Sequence, residues 1–352
     1  MPQSFVYDVQ PARVIFGHGT RARLPDEADR LGLSRLLVLS TSEQATLATD
    51  MQTQLGERAA GAFDGALMHT PVEVTGRALD VVRALDIDGV VSVGGGSTTG
   101  LGKAIALRTD LPQIVLPTTY AGSEMTPLLG ETQDGLKTTR RSPKVLPEVV
   151  IYDVDLTLSL PAKMSATSAF NAMAHAVEAL YAPDANPITS LMAEEGIRAI
   201  VDALPRVMHA GDDAGARSDL LYGAWLCACC LGATTMGLHH KLCHTLGGLF
   251  DLPHAQMHAI VLPYALKYNA MAIPEALTRL KRAMATDDPV LALHELVRRS
   301  DIPQALAGIG MPRDGVLRAV DQIMANPYRN PRVVERESLI RLIERAWSGG
   351  SA

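Results

Sequence analysis

The sequence predicts two domains of different class: an α/β domain with a mostly parallel sheet over residues 1–155, and an all-α domain over residues 156–352. Three observations carry this reading. Short apolar runs alternate with helical periodicity through the first half, and strand patterning stops near residue 155. The chain, at 352 residues, also exceeds what one hydrophobic core normally supports.

In chain order, ARVIFG (12–17), RLLVLST (35–41), GALMHT (65–70), DGVVSVGGG (88–96), PQIVLPTT (112–119) and PEVVIYD (147–153) read as strands bounded by Gly, Pro, Asp and Thr. Between them, RLPDEADRLGL (23–33) and TGRALDVVRALDI (75–87) place apolar residues at helical spacing. Such alternation predicts a parallel sheet with helices on both faces, an architecture that often binds nucleotides. From DLTLSLPAKMSATSAFNAMAHAVEALYA (155–182) to ESLIRLIERAWSGG (337–350) the patterns are helical throughout.

Composition narrows the function. A formal net charge of −6 and the absence of any basic run argue against a nucleic-acid partner. No apolar segment reaches the roughly 18 residues of a membrane span, and MPQSFVYDVQ lacks the plan of a signal peptide, so a soluble cytoplasmic protein with a small-molecule substrate is expected. Three of the four cysteines lie in GAWLCACCLGATT (223–235). There Cys227 and Cys230 form a C-x-x-C without a second pair, among Ala, Leu and Trp, and buried packing is the better reading.

The run VVSVGGGSTTGLGKAIAL (90–107) sets Gly94, Gly95, Gly96 and Ser97 between an apolar strand and a helix. Glycines let backbone N–H groups approach a pyrophosphate, and the helix start adds partial positive charge. The loop is neither a Walker A motif, since Ala104 follows Lys103, nor G-x-G-x-x-G, since residue 99 is Thr. The next strand runs into LPTTYAGSEMTP (116–127), whose Thr118, Thr119, Ser123 and Thr126 offer hydroxyls at the carboxyl edge of the sheet, and Met125 is assigned with this loop to the cofactor.

Five of the ten histidines fall in GLHHKLCHTLGGLFDLPHAQMHA (237–259). Three pairs sit four apart on a helix face: Asn171 with His175, His240 with His244, and His254 with His258. His239 faces elsewhere and reads as a hydrogen-bonded core histidine. The residues alone leave two readings open, a metal cage or a set of proton donors and acceptors around an anionic substrate.

The loop GGGSTTGLGKA, the run PTTYAGSEMTP, the helix NAMAHAVEALYA and HHKLCHTLGGLFDLPHA resemble the iron-containing alcohol dehydrogenase superfamily, and most closely its maleylacetate-reducing branch, over nearly the whole chain to NPR at 330–332. The resemblance implies a Rossmann-like first domain and an all-α second domain, the dehydroquinate synthase-like, group III alcohol dehydrogenase fold. In metal-dependent members an aspartate and three histidines hold a divalent cation. The corresponding positions here are Asn171, His175, His240 and His254. An amide supplies no anionic ligand, so the expectation is a reaction that requires no metal.

The activity implied is NADH-dependent reduction of the carbon–carbon double bond of maleylacetate to 3-oxoadipate in aromatic-compound breakdown. His175, His240, His244, His254 and Asn171 would form the catalytic set, with Lys241, His258, Arg329 and Arg332 as candidates for the substrate carboxylates. Lys137 matches a lysine position shared across the superfamily and is assigned to the cofactor side. NADPH is an alternative cofactor, because LLVLSTSEQ offers Thr41 and Ser42, and no carboxylate is expected there to repel a 2′-phosphate. A homodimer is expected. The rival readings are a metal-dependent alcohol or polyol dehydrogenase of the same superfamily, a dehydroquinate-synthase-like lyase that consumes no net NADH, and a non-catalytic nucleotide sensor.

Overall fold

The computed structural model describes Phe5, Tyr7 and residues 13–134 and 136–350, and the side chain of Lys137 lies outside the described residues. The chain forms two compact units that part between Leu160 and Pro161.

The first unit runs β1 (Arg13–Gly17), α1 (Leu24–Arg30), β2 (Leu36–Leu39), α2 (Ala45–Leu55), β3 (Ala59–Phe63), α3 (Val72–Ala84), β4 (Gly89–Gly94), α4 (Gly96–Thr109), β5 (Gln113–Pro117), β6 (Leu128–Gln133), β7 (Leu136–Arg141) and β8 (Val149–Asp153). Six strands form one parallel sheet in the order β1-β8-β5-β4-β2-β3. Side-chain alternation divides its two faces. Leu36, Val38, Val91 and Val93 pack with Leu24, Ala28, Ala48 and Met51 of α1 and α2. Leu37, Leu39 and Val90 pack with Val74, Ala78, Leu101 and Ile105 of α3 and α4. The neighbouring strands β2 and β4 are therefore followed by helices on opposite faces. That makes the gap beyond their carboxyl ends a topological switch point, where open α/β sheets bind ligands.

Two strand readings differ from the structure. The third strand is Ala59–Phe63, and the predicted stretch 65–70 is loop, with His69 and Thr70 at φ 66° and 48° and with Leu67 and Met68 exposed. The apolar pair in GALMHT imitated a strand, whereas the real edge strand AAGAF is built of small residues. A Cβ on its Gly61 would stand 2.6 Å from a Leu85 methyl beyond α3, which would have to shift to admit it. The antiparallel hairpin of β6 and β7 had no apolar alternation to announce it.

The second unit is helical: α5 (Ala162–Ala179), α6 (Pro187–His209), α7 (Ala214–Ala233), α8 (Leu238–Phe250), α9 (His254–Asn269), α10 (Pro274–Ala283), α11 (Pro289–Arg299), α12 (Gly315–Ala325) and α13 (Arg336–Ser348). Asn186 opens α6 with a capping box, its side chain accepting from Ile188 and Thr189 N–H. α6 and α7 approach closely at Gly196 and Gly223, where a Cβ on Gly223 would stand 2.8 Å from the Gly196 carbonyl. Cys227 fills that contact, and burial raises its thiol well above its ordinary value, as befits inert packing. α8, α9, α12 and α13 share a core that includes Leu242, Leu246, Ile260, Val320, Leu339 and Ile343. Among the described residues no single helix is long and apolar enough to cross a membrane.

Candidate active site

The glycine run sits at the switch point of the sheet. Gly94 ends β4 at φ 154°, and a Cβ there would come within 2.5 Å of Gln44 Oε1 and Thr98 Oγ1. Gly95 is the N-cap of α4, and a Cβ on it would meet Thr119 at 3.1 Å. α4 then starts at Gly96 with no acidic residue in its first turn. Its first N–H groups lack intrahelical partners, so they present a ready site for an anion.

Thr118 joins the cradle from β5. Its N–H donates to the Gly94 carbonyl at 3.0 Å, and its hydroxyl accepts from Gln44 Nε2 at 2.8 Å. Ser123 and Met125 belong to a turn held from behind by Lys103. That fully buried ammonium donates to the carbonyls of Ser123, Thr126 and Leu128, the last two at 2.8 Å. Burial draws Lys103 down to about 7. Sequence reading passed over Lys103 except to reject a Walker motif; in the fold it ties one loop of the cradle to the helix behind it. One expectation changes here. Glu43 follows β2, exposed, and hydrogen bonds from its own backbone N–H and from Thr41 hold its carboxyl below the ordinary value, so an ionised carboxylate does stand at that strand end.

In the second unit α5 presents Asn171, His175 and Glu178 along one face, α8 carries His239 to His244, and α9 starts at His254. His175 and His240 stack at 5.0 Å between ring centroids, with 25° between their planes. The exposed His244 lies 6.0 Å from His240, and its Nδ1 is 3.3 Å from the Tyr328 hydroxyl. Lys241 Nζ sits 5.1 Å above the Tyr328 ring, and burial lowers its ammonium from the ordinary value. The half-buried His254 reaches His258, at 4.4 Å between centroids.

Behind this row lies a buried layer. His239 Nε2 and His258 Nδ1 are 3.0 Å apart in a ring-to-ring hydrogen bond, and both residues are almost without exposure. His258 is therefore bonded inward, whereas sequence reading placed it with the substrate candidates. Burial holds His175, His239 and His258 well below the ordinary histidine value, with the neighbouring imidazoles adding to the effect. The layer is uncharged at neutral pH. Arg329 is exposed, and its backbone carbonyl lies 3.6 Å from where a Cβ on Gly237 would stand. Arg332 stacks on Tyr268 at 4.2 Å.

Glu178, which sequence reading missed, organises the row. Its carboxylate has no exposed side-chain surface and accepts from the N–H groups of Gly237 and His239 at 2.7 Å each and of His240 at 3.4 Å, the start of α8. It also accepts from His240 Nδ1 at 2.7 Å. The Nδ1 proton is thereby fixed on the carboxylate side, and His240 Nε2, buried without a partner, is the free nitrogen of the ring. A Cβ on Gly237 would crowd the Glu178 carboxylate at 3.0 Å, so a side chain there would press on the group that holds His240. A signal was present, since Glu178 lies three residues after His175 and seven after Asn171 on the same helix.

Metal binding requires an anionic donor or converging imidazoles. Glu178 is fully engaged by its hydrogen bonds, and Asn171 is neutral. Among the described residues, the histidine, cysteine and carboxylate atoms that converge within 4.8 Å are those of His239, Cys243 and His258. There burial keeps the Cys243 thiol of the metal-free chain well above its ordinary value. The residues do not fit a centre of one carboxylate and three histidines.

A parallel sheet with a glycine cradle at its switch point, followed by an all-α unit bearing a histidine row, defines the group III alcohol dehydrogenase fold and an oxidoreductase. The chain belongs to the iron-containing alcohol dehydrogenase family: that family matches residues 11–154, and its C-terminal domain, the Fe-containing alcohol dehydrogenase family, matches residues 165–347. It is 54% identical to a maleylacetate reductase of Sphingobium indicum over 98% of both chains, and 54% identical to one of a Rhizobium species over 99% of both. The crystal structure of a maleylacetate reductase from Agrobacterium tumefaciens superposes with a TM-score of 0.97 at 53% identity, covering 99% of this chain and 100% of that one.

Proposed function

We propose that the protein reduces the carbon–carbon double bond of maleylacetate to give 3-oxoadipate, as a metal-independent homodimer in the cytoplasmic breakdown of aromatic compounds. The observation that carries this reading is full-length similarity, at 47–54% identity, to relatives named maleylacetate reductase. The neutral Asn171 beside an imidazole row supports the metal-independent part.

The cradle of Gly94, Gly95, Gly96 and Ser97 fits a dinucleotide pyrophosphate, with Thr118 and Thr119 beside it. A bound reduced nicotinamide dinucleotide supplies a hydride. Glu43 at the end of β2 favours NADH over NADPH, because an ionised carboxylate accepts from ribose hydroxyls and repels a 2′-phosphate. Delivered to the alkene carbon beta to the ketone, that hydride would move negative charge to the ketone oxygen. Once its Nε2 also carries a proton, His240, held at Nδ1 by Glu178, would donate to that enolate oxygen, and Asn171 adds a neutral polar group. His244, exposed and next to Tyr328, returns a proton to the alpha carbon, leaving a saturated ketone. Lys241 attracts a substrate carboxylate.

The test follows NADH oxidation with maleylacetate before and after exhaustive chelation, with metal analysis of wild type and Asn171→Asp. Retained activity in chelated wild type, and zinc or iron held measurably tighter by Asn171→Asp, are expected, since the variant restores the anionic ligand one turn from His175. One tightly held ion per wild-type subunit, needed for activity, would overturn the metal-independent reading. Activity with simple alcohols but not with maleylacetate would overturn the substrate.

A further inference from the structure

The second unit carries a cavity of about 310 Å³, apart from the histidine row, lined by the cations Lys267, Arg332, Arg341 and Arg345 and by the rings of Tyr264 and Tyr268. Its charge departs from the rest of the surface. The chain has 38 acidic against 32 basic residues, and several arginines elsewhere on this unit are paired with carboxylates: Arg198 with Glu195 at 2.7 Å, Arg282 with Glu194 at 2.8 Å and Arg298 with Glu295 at 2.7 Å. Around the cavity, among the described residues, only Arg341 has a carboxylate in range, Glu337 at 3.7 Å. Four cations facing one small space repel one another, and an anion between them removes that cost.

The walls are also fixed in place. Arg332 lies on the Tyr268 ring and donates from Nη1 to the Tyr268 carbonyl at 3.1 Å, which leaves the rest of its guanidinium fork for a ligand. Asn330, two residues earlier, exchanges amide hydrogen bonds of 2.9 and 2.7 Å with Asn269 of α9 and donates to the Arg332 carbonyl at 2.7 Å. The Tyr264 hydroxyl donates to the Gly350 carbonyl at 2.7 Å, and the Tyr268 hydroxyl to that of Val333 at 2.8 Å, so the rings are held as walls. The volume falls in the range of small-molecule sites, roughly 300–1,000 Å³. Along α9, Tyr264 is ten residues beyond His254, about 15 Å at the helical rise. The two sites are therefore separate.

We propose that this cavity is a second binding site, for a small dianion with an aromatic or apolar body. The guanidinium forks of Arg332, Arg341 and Arg345 take the charged ends, Lys267 adds a point charge, and the tyrosine rings and Leu342 receive the body. Dicarboxylates and phosphate monoesters share this chemistry.

Titration calorimetry of the full chain at constant ionic strength, with phthalate, phenyl phosphate and inorganic phosphate as separate probes, tests the site. Arg341→Ala and Arg345→Ala alter exposed residues and should each weaken binding of the preferred organic probe at least ~10-fold, one lost charge-assisted contact. Arg298→Ala and His244→Ala should leave it unchanged. Tighter binding of phthalate assigns a dicarboxylate, and tighter binding of phenyl phosphate a phosphate ester, both within the proposal. Three results would each overturn it: binding unaffected by either arginine variant, binding abolished by His244→Ala, or no binding of either organic probe at millimolar concentration.

Discussion

The glycine cradle and the histidine row are built by opposite means. In the cradle, four consecutive residues act mainly through backbone: Gly94 supplies a positive φ, Gly95 a close approach, and α4 its unpaired N–H groups. In the histidine row the groups that act are side chains from α5, α8 and α9, and the central hydrogen bond joins Glu178 to a ring 62 residues later. A backbone site is local and tolerates change in the side chains around it. A side-chain site is long-range, and each member leans on another.

The contrast breaks first at His240. If the row acts through side chains, His240→Ala should lower kcat by about 100-fold or more with little change in NADH affinity, because enolate stabilisation is lost and the cradle is untouched. Glu178→Gln keeps the shape but cannot hold a carboxylate-paired imidazole, and it should lower kcat in the same direction while shifting the pH profile. Steady-state kinetics across pH on both variants checks this. Near-wild-type turnover in His240→Ala would return the row to core packing.

Gly95→Val asks the reverse question. Its Cβ would press on Thr119 at 3.1 Å and the branches would cover the helix start, so the apparent NADH KM should rise at least ~10-fold, about 1.4 kcal/mol of binding. The kcat at saturating NADH should hold. Unchanged NADH affinity in a folded variant would remove the cradle's role.

The same contrast explains what sequence reading reached. Val90–Gly96 announces its strand, its turn and its ligand chemistry within a few residues, because backbone geometry is written locally in glycine. Asn171, His175, His240 and His254 were found as residue types at helical spacing, but nothing local says that His175 stacks on His240 or that His258 turns inward to His239. Glu178 had the spacing and no partner visible in sequence. In the sheet, Ala59–Phe63 is an edge strand of mostly small residues with little apolar alternation, whereas Leu67 and Met68 are apolar residues left on the surface, so periodicity pointed at the wrong stretch.

Acid stability sharpens the comparison further. Burial lowers His175, His239 and His258 below the ordinary value, so the unfolded chain binds their protons first, and stability present above about pH 6.5 is lost as pH falls below it. Each group contributes a slope of about 1.4 kcal/mol per pH unit in that window. His258→Gln should flatten the slope between pH 6 and 5 by about one such increment relative to wild type. Urea unfolding at pH 7, 6 and 5 measures it, and equal slopes would mean that His258 is not held neutral by the fold.

The smallest effect belongs to Glu43, the one side chain at the cradle with a proposed part in cofactor choice. Its carboxylate is exposed and turned onto its own backbone N–H and Thr41, so solvent and salt screen its field. Glu43→Gln should therefore lower the apparent NADPH KM by only about threefold and more at low salt, as expected for screened repulsion of a 2′-phosphate. NADH should lose slightly, because an amide oxygen is a weaker acceptor for ribose hydroxyls than a carboxylate. The ratio of the two apparent KM values at low and high ionic strength reads both effects together. A ratio that does not move at either salt would take the carboxylate out of cofactor selection and leave the cradle a backbone site alone.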